Sequence, residues 1–476
     1  MSATTQPGPT PKVSQGDKKM SRTADLTRAR GKQVLLLAAM AAPLLASCHG
    51  SGPQGSPVAP AISMSIAPTT LTLGQSAKVT WSSTDATSCT ASGWWSGSQP
   101  QSGSVSVTPT ATGPGAYTLT CTGAGSQTTQ HTVNITVNSV YSSTALVSDM
   151  AGALHLDPNL KNPWGIVAGP TTPFWVSNNH SETSTLYDGT GKVLPVVVAL
   201  PANTSGVTFD PTGIVFNATT DFTVNGTPAK FIFSGEGGML AGWAGGATAV
   251  ITYPAPAVSG GGASYKGLAI ASAGGVNYLY ATDFHNNKID VFDGNYNKQV
   301  WPATAFVDST LPAGYAPYGI RAFANGPGGA TRLYVTYAKQ DSAAGDSVAG
   351  AGLGLVDVYD TSGTFVSHLI ATGGWLNAPW GLAIAPADFG TLSGALLVGN
   401  FGDGTINAFD PSSGAYWATL SDSTDHAIAV SGLWGLSFGN DHQNQPHNTL
   451  FYTAGVNDEA DGVYGRIDLG ATPPTL

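Results

Sequence analysis

Charge is scarce in this chain. Of its 476 residues only 10% are Asp, Glu, Lys or Arg, against roughly 25% in ordinary soluble domains. Acids outnumber bases, 28 to 18, and the net charge is −10. No basic stripe exists to neutralise phosphates, which excludes nucleic acid as a partner. Several motifs of common catalytic machinery are also missing. There is no H-E-x-x-H, no P-loop and no EF-hand loop, so the chain offers no ready metallopeptidase centre or phosphate cradle. Cysteine is limited to Cys48, Cys89 and Cys121. What is abundant is Gly, with 61 residues, and Pro, with 31. Together with apolar runs of four to six residues in the body of the chain, that composition favours strands and tight turns over helices.

The N-terminal region has the parts of an export signal. Arg22, Arg28, Arg30 and Lys32 form a basic stretch, and Val34 to Leu45 is apolar over 12 residues. A span of that length does not cross a bilayer, which needs roughly 20 apolar residues. Leu45-Ala46-Ser47-Cys48 then resembles the bacterial lipobox, in which the Cys thiol receives diacylglycerol. The resemblance implies a membrane-anchored, exported protein, and His49, not Asp, after the Cys favours the outer membrane or cell surface. Residues 1–19 precede a second Met at position 20 and read as an extension without structure of its own. With Cys48 given to lipid, Cys89 and Cys121 remain. In an oxidising compartment they are expected to pair, stabilising their domain by roughly 3–4 kcal/mol. No Cys is then left for catalysis.

Residues 49–60 are rich in Gly, Ser and Pro and read as a tether. From 61 to 138 the pattern alternates, as in Ile62 to Ile66, Ala77 to Trp81, Val105 to Val107, Tyr117 to Cys121 and Val133 to Val137. Short strands at this spacing predict a β-sandwich. The segment resembles the Ig-like modules of bacterial surface proteins, with one departure. Its order is Trp81, Cys89, Cys121, so the bridge is not the usual bond between the two sheets. Trp94 and Trp95 sit in a Gly/Ser stretch and are read as covering the edge of a small core, in a domain that acts as a spacer.

Residues 139–476 carry an internal repeat. A motif ending in Gly and followed by apolar residues occurs as Pro163-Trp164-Gly165, Pro211-Thr212-Gly213, Tyr265-Lys266-Gly267, Pro317-Tyr318-Gly319, Pro379-Trp380-Gly381 and Leu433-Trp434-Gly435. The glycines are 48 to 62 residues apart, which is the period of a propeller blade of four strands. The fold predicted is all-β: a six-bladed β-propeller behind a small Ig-like sandwich. The last repeat ends one strand short, at Arg466 to Asp468. Thr144 to Ser148 resembles Thr304 to Asp308, read as the outer strand before the fourth repeat, and is expected to complete the final blade and remove its open edge.

The stretches NPWG, FWVSNN, YKGLAIA, YLYATDFHNNKIDVFD, PWGLAIAP and LLVGNFGDGTINAFD resemble a family of uncharacterised secreted bacterial proteins with NHL-like propellers. Some members carry a PEP-CTERM sorting tail, whereas this sequence ends ATPPTL, so here the lipid is expected to serve as anchor. The resemblance implies fold and export; it implies no reaction.

Topology places the residues before each repeat glycine, and the turns after each second strand, on one mouth. The ligand-binding candidates there are Trp164, Asn179, His180, Lys266, Tyr318, Lys339, Gln340, Trp380 and Trp434. The aromatics serve either as a stacking platform for a glycan or small molecule, or only as caps on hydrophobic layers between blades. Glu236, Asp283, Asn400 and Asp403 are candidate ligands for Ca²⁺ or another divalent ion. Residues 342–354, rich in Gly and Ala, lengthen the fourth repeat at this mouth. Asp188, Asp293, Asp360 and Asp410 recur too regularly for a site and read as turn formers. Two functions remain open. One is a monomeric, lipid-anchored binding or scaffold protein for a glycan, small-molecule or protein ligand. The other is a metal-dependent hydrolase of lactones or esters. The lack of H-E-x-x-H, P-loop and EF-hand motifs favours the first.

Overall fold

The computed structural model describes residues 57–254 and 262–470. The export-signal residues, Cys48 and most of the tether therefore lie outside the described residues. No helix among the described residues is long and apolar enough to cross a membrane. The structure is all-β, its few helical segments being single 3₁₀ turns.

Residues 61–138 form two sheets around one core. The first holds Ala61–Ala67, Ala77–Thr84 and Ser102–Val107, and the second is built on Ala86–Gly93, Gly113–Gly123 and Thr128–Asn138. Alternation turns Val79, Trp81, Leu119 and Val137 inward, where they are almost fully buried. Cys89 and Cys121 are directly opposite each other on neighbouring strands of the second sheet, and they are bonded. The bridge thus lies within a sheet and is not the usual bond between two sheets, which the residue order had excluded. Trp94 and Trp95 pack edge-on to Tyr117 and Trp81 at the border of this core.

Apart from a separate two-stranded hairpin of Thr223–Val224 with Thr227–Pro228, residues 141–469 form six main sheets, antiparallel but for the short parallel pairing of His155–Leu156 with Tyr141–Ser148. Their inner strands are Pro163–Val167, Pro211–Phe216, Tyr265–Ala273, Tyr315–Phe323, Pro379–Ile384 and Leu433–Phe438. The repeat glycines explain how these strands meet. A Cβ on Gly319 would lie 2.1 Å from the Trp380 carbonyl oxygen, and one on Gly381 would lie 2.5 Å from that of Trp434. The series closes, because a Cβ on Gly435 would lie 2.5 Å from the carbonyl oxygen of Trp164 in the first sheet. Only glycine permits backbones this close. Each inner strand therefore packs on the next, and the sixth on the first, in an arrangement of β-propeller type. The cycle is one of packing; no single hydrogen-bonded sheet closes on itself. Apolar clusters such as Trp175, Phe231 and Phe233 fill the wedges between neighbouring sheets.

The first and last strands of residues 141–469 meet in the sixth sheet. Tyr141–Ser148 pairs antiparallel with Asp461–Leu469, including Val147 with Tyr464 and Ser143 with Ile467. The segment that suggested this pairing behaves otherwise. Thr304 to Asp308 forms turns, and the third sheet stops at three strands. The physical reason is local: Phe306 adopts a left-handed backbone, φ 57°, which no strand accommodates, and Pro302 and Pro312 bracket the segment.

Candidate functional site

Four of the six residues before a repeat glycine, Trp164, Tyr318, Trp380 and Trp434, converge in one buried cluster. Trp164 stacks on Trp434 with ring centroids 3.5 Å apart, and Phe401 stacks on the other side of Trp434 at 4.1 Å. Trp380 stands edge-on to both indoles, and Tyr318 closes against Trp164 and Phe284. Trp164, Trp434 and Tyr318 are at most 2% exposed and Trp380 is 9% exposed. These aromatics do converge, as the repeat implied. They form a plug and present no open stacking face.

Above the plug lies a polar layer whose members are committed to one another. Lys266 is buried, ion-paired to Glu236, and 5.1 Å from the centroid of the Trp164 ring. Asn179 Nδ2 donates to Glu236 Oε2 at 2.9 Å. Asn162 accepts from Trp434 Nε1 at 3.0 Å and donates to Glu459 Oε2 at 2.6 Å. Burial holds the Glu459 carboxyl above its usual range. Trp380 Nε1 donates to the Lys266 carbonyl at 3.0 Å, while Trp164 Nε1 has no partner. The inserted loop of the fourth sheet covers this layer. Ser347 meets the Tyr318 hydroxyl at 3.2 Å, and Ala344 O meets His285 Nδ1 at 3.1 Å. Burial raises the Tyr318 hydroxyl well above its ordinary pKa. Gln340 Nε2 donates to the Phe284 carbonyl at 2.6 Å, and His180 and Lys339 remain exposed at the rim.

The four metal candidates are not brought together. Glu236 serves Lys266 and Asn179. Asp283 accepts from Asn286 Nδ2 at 2.9 Å and pairs with Lys288 at 3.3 Å. Asn400 Nδ2 donates to Trp375 O, and Asp403 accepts from Thr405 and from Asn377 Nδ2. Glu236 is spent on residues of the two neighbouring sheets and the other three within their own sheets' loops, a use that spacing cannot distinguish from ligation. Among the described residues, the one group of three His and carboxylate side chains with donor atoms within 4.8 Å of one another is Asp308, Asp357 and His368. It lies away from the mouth, on the outer part of the fourth sheet. The turn aspartates act as read: Asp360 Oδ1 accepts the backbone N–H groups of Ser362 and Thr364 at 2.9 and 2.8 Å.

Sequence reasoning missed the other end of the channel. Beyond the plug, the inner strands line an open-mouthed cavity of about 180 Å³. Its walls are Ile166, Ile214, Leu268, Ile320, Leu382 and Leu436, and Trp380 reaches it from the plug. One cation, Arg321, stands in this apolar wall. Its guanidinium donates to Leu382 O at 3.2 Å, Leu436 O at 2.5 Å and Ser437 Oγ at 3.3 Å. Among the described residues no carboxylate pairs with it. Burial alone lowers its pKa to about 10. A signal existed. Two residues after each repeat glycine stand Val167, Val215, Ala269, Arg321, Ala383 and Ser437, and a charge occurs at one of six equivalent inner positions.

No protein-family model matches this chain. Uncharacterized protein R648 of Acanthamoeba polyphaga mimivirus is 34% identical over 332 residues, covering 66% of this chain and 76% of that protein. Uncharacterized protein L690 of the same virus is 31% identical over 335 residues, covering 66% of this chain and 82% of its own. Among solved structures, virginiamycin B lyase from Staphylococcus aureus aligns over 69% of this chain and all (100%) of its own, with 14% identity and a TM-score of 0.39. A glucose dehydrogenase aligns over 70% of this chain and 100% of its own, with 13% identity and a TM-score of 0.41. At these levels neither structure lends this chain an activity.

Proposed function

This chain belongs to one family with the mimivirus proteins R648 and L690, and we propose that it is a non-catalytic binding protein holding a small apolar anion in the channel of a six-bladed propeller. The observation that carries this is Arg321, a cation without a carboxylate partner in the wall of an apolar cavity. A half-buried charge left to neutral acceptors keeps part of its desolvation cost, and an anion supplied by a ligand offsets that cost. The cavity, about 180 Å³, is slightly larger than one of roughly 150 Å³ that takes benzene. It therefore suits a small carboxylate with an aromatic or short aliphatic body. The aliphatic walls exclude water from the body of the ligand, and the guanidinium orients its head.

The setting we propose is extracytoplasmic. The Ig-like sandwich acts as spacer, and lipid on Cys48 anchors a monomeric chain in the cell envelope. The lipobox resemblance and the Cys89–Cys121 bond support this reading. The binding claim is tested by thermal shift with matched pairs, benzoate against benzyl alcohol and hexanoate against hexanol. The acids raise Tm in a saturable way and the alcohols do not. Equal shifts for acid and alcohol, or none for either, would overturn it. Labelling with a fatty-acid analogue tests the anchor: incorporation is lost in Cys48→Ser.

A further inference from the structure

A second site lies where the third sheet lacks its fourth strand. The segment of residues 301–311 runs as turns past the outer hairpin of the fourth sheet. In that hairpin Asp357 and His368 are register partners across Gly354–Asp360 and Phe365–Ile370. Asp308 comes from the turn segment. The Asp308 and Asp357 side chains are 1% and 0% exposed.

Each carboxylate has one oxygen fixed and the other aimed at the same nitrogen. Asp308 Oδ1 accepts from the Thr310 backbone N–H and hydroxyl, both at 2.7 Å. Asp357 Oδ2 accepts from the Tyr359 hydroxyl at 3.3 Å, and that hydroxyl lies 2.8 Å from Tyr337 Oη. The remaining oxygens, Asp357 Oδ1 and Asp308 Oδ2, lie 2.8 and 3.2 Å from His368 Nδ1. That nitrogen carries at most one proton, which its geometry directs to Asp357. Asp308 Oδ2 is left buried with no hydrogen-bond partner. An unsatisfied buried charged acceptor is among the more expensive features a fold can hold.

We propose that Asp308, Asp357 and His368 bind a divalent transition metal that staples the 301–311 segment to the fourth sheet. A metal ion does what one proton cannot: it accepts lone pairs from both oxygens and the nitrogen at once. Ligands about 2.1 Å from an ion are about 3.0 Å apart at octahedral angles and about 3.4 Å apart at the tetrahedral angle zinc prefers, so the observed 2.8 and 3.2 Å need to open by only a few tenths of an ångström to seat one. The imidazole favours Zn²⁺ or a neighbouring transition ion over Ca²⁺, which takes oxygen ligands. The threonine and tyrosine groups that hold the outer carboxylate oxygens fix the orientation of the inner ones. His368 is 27% exposed, leaving its Nε2–H access to water. The staple replaces the tie that a fourth strand would give the third sheet.

The test uses the full chain, stripped with EDTA and dialysed, then titrated with Zn²⁺ by calorimetry. One Zn²⁺ per chain is expected, unaffected by equimolar Ca²⁺ and weakened at least tenfold in Asp308→Asn and in Asp357→Asn. Neither substitution changes the histidine count, so binding at surface histidines is not mistaken for this site. Chymotryptic cleavage after Phe306 is expected to slow severalfold with Zn²⁺ and to recover with chelator. Stoichiometric binding that survives both substitutions, or no saturable binding, overturns the proposal. Should the Asn variants fail to fold, cleavage of the wild-type chain that is indifferent to Zn²⁺ overturns it equally.

Discussion

The two ends of the channel are built from the same six inner strands yet are satisfied to different degrees. At the plugged end, Lys266 has Glu236, Trp434 has Asn162, and Trp380 has the Lys266 carbonyl. At the other end Arg321 has three neutral acceptors and no counter-charge. The lesson is that regular repetition ends in structure, whereas an unmatched group at one of six equivalent positions marks where something else is meant to go. Completed networks hold a fold; incomplete ones await a partner.

That contrast predicts unequal responses to substitution. Trp434→Ala removes the centre of the plug and is expected to destabilise by about 3–5 kcal/mol, read as a large fall in the denaturant midpoint. Gly319→Ala forces a Cβ to within 2.1 Å of the Trp380 carbonyl. The two inner strands must then separate, at a cost of about 1–3 kcal/mol; a midpoint equal to that of wild type would refute the close-packed cycle. Arg321→Met runs the other way. Replacing an uncompensated cation by an apolar side chain of similar length leaves ligand-free stability unchanged or raises it by about 1 kcal/mol. The same variant loses the carboxylate-dependent thermal shift. A loss of stability as large as that of Trp434→Ala would make Arg321 a structural residue and erase the contrast.

The smallest effect expected is one of pH, away from both ends. Burial, then Asp210, raises the half-buried Glu182 carboxyl to about 7, while backbone N–H groups of Asp210 and Phe209 oppose the shift. Its folded pKa lies above the unfolded one, so its contribution is full at pH below about 4.3 and is lost as pH rises towards 7. Glu182→Gln removes this dependence. Relative to the variant, the wild type is expected to lose about 1 kcal/mol between pH 5 and pH 8, reduced by the solvent screening of a group only half covered. Parallel pH–stability curves for the two proteins would refute the shift.

The ring was legible because its demand falls on single residues. Gly165 through Gly435 are required by the backbone of the neighbouring sheet, a carbonyl at five of them and the Leu268 nitrogen at Gly213, so a short motif survives where strand sequences vary. The joining of Tyr141–Ser148 to the last sheet was legible from the missing strand. The turn at Phe306 was not, because a left-handed residue amid apolar neighbours leaves an alternating pattern intact. The mouth was half legible. Periodicity gathers Trp164, Trp380 and Trp434 at one place, but whether they lie open or interlock depends on the width of the channel, which no linear pattern encodes. Glu236, Asp283 and Asp403 look like ion ligands in sequence because carboxylates that cap loops and those that bind metals share one chemistry. Asp308 and His368 escaped notice because one sits in a turn and the other on an outer strand, 60 residues apart.

The most direct test is a crystal structure of the full chain grown with benzoate. The carboxylate should be found on Arg321, with the ring against Ile320 and Leu436 inside the channel. Benzoate at the opposite rim, beside Lys266 or over the aromatic plug, with the channel empty, would contradict the account.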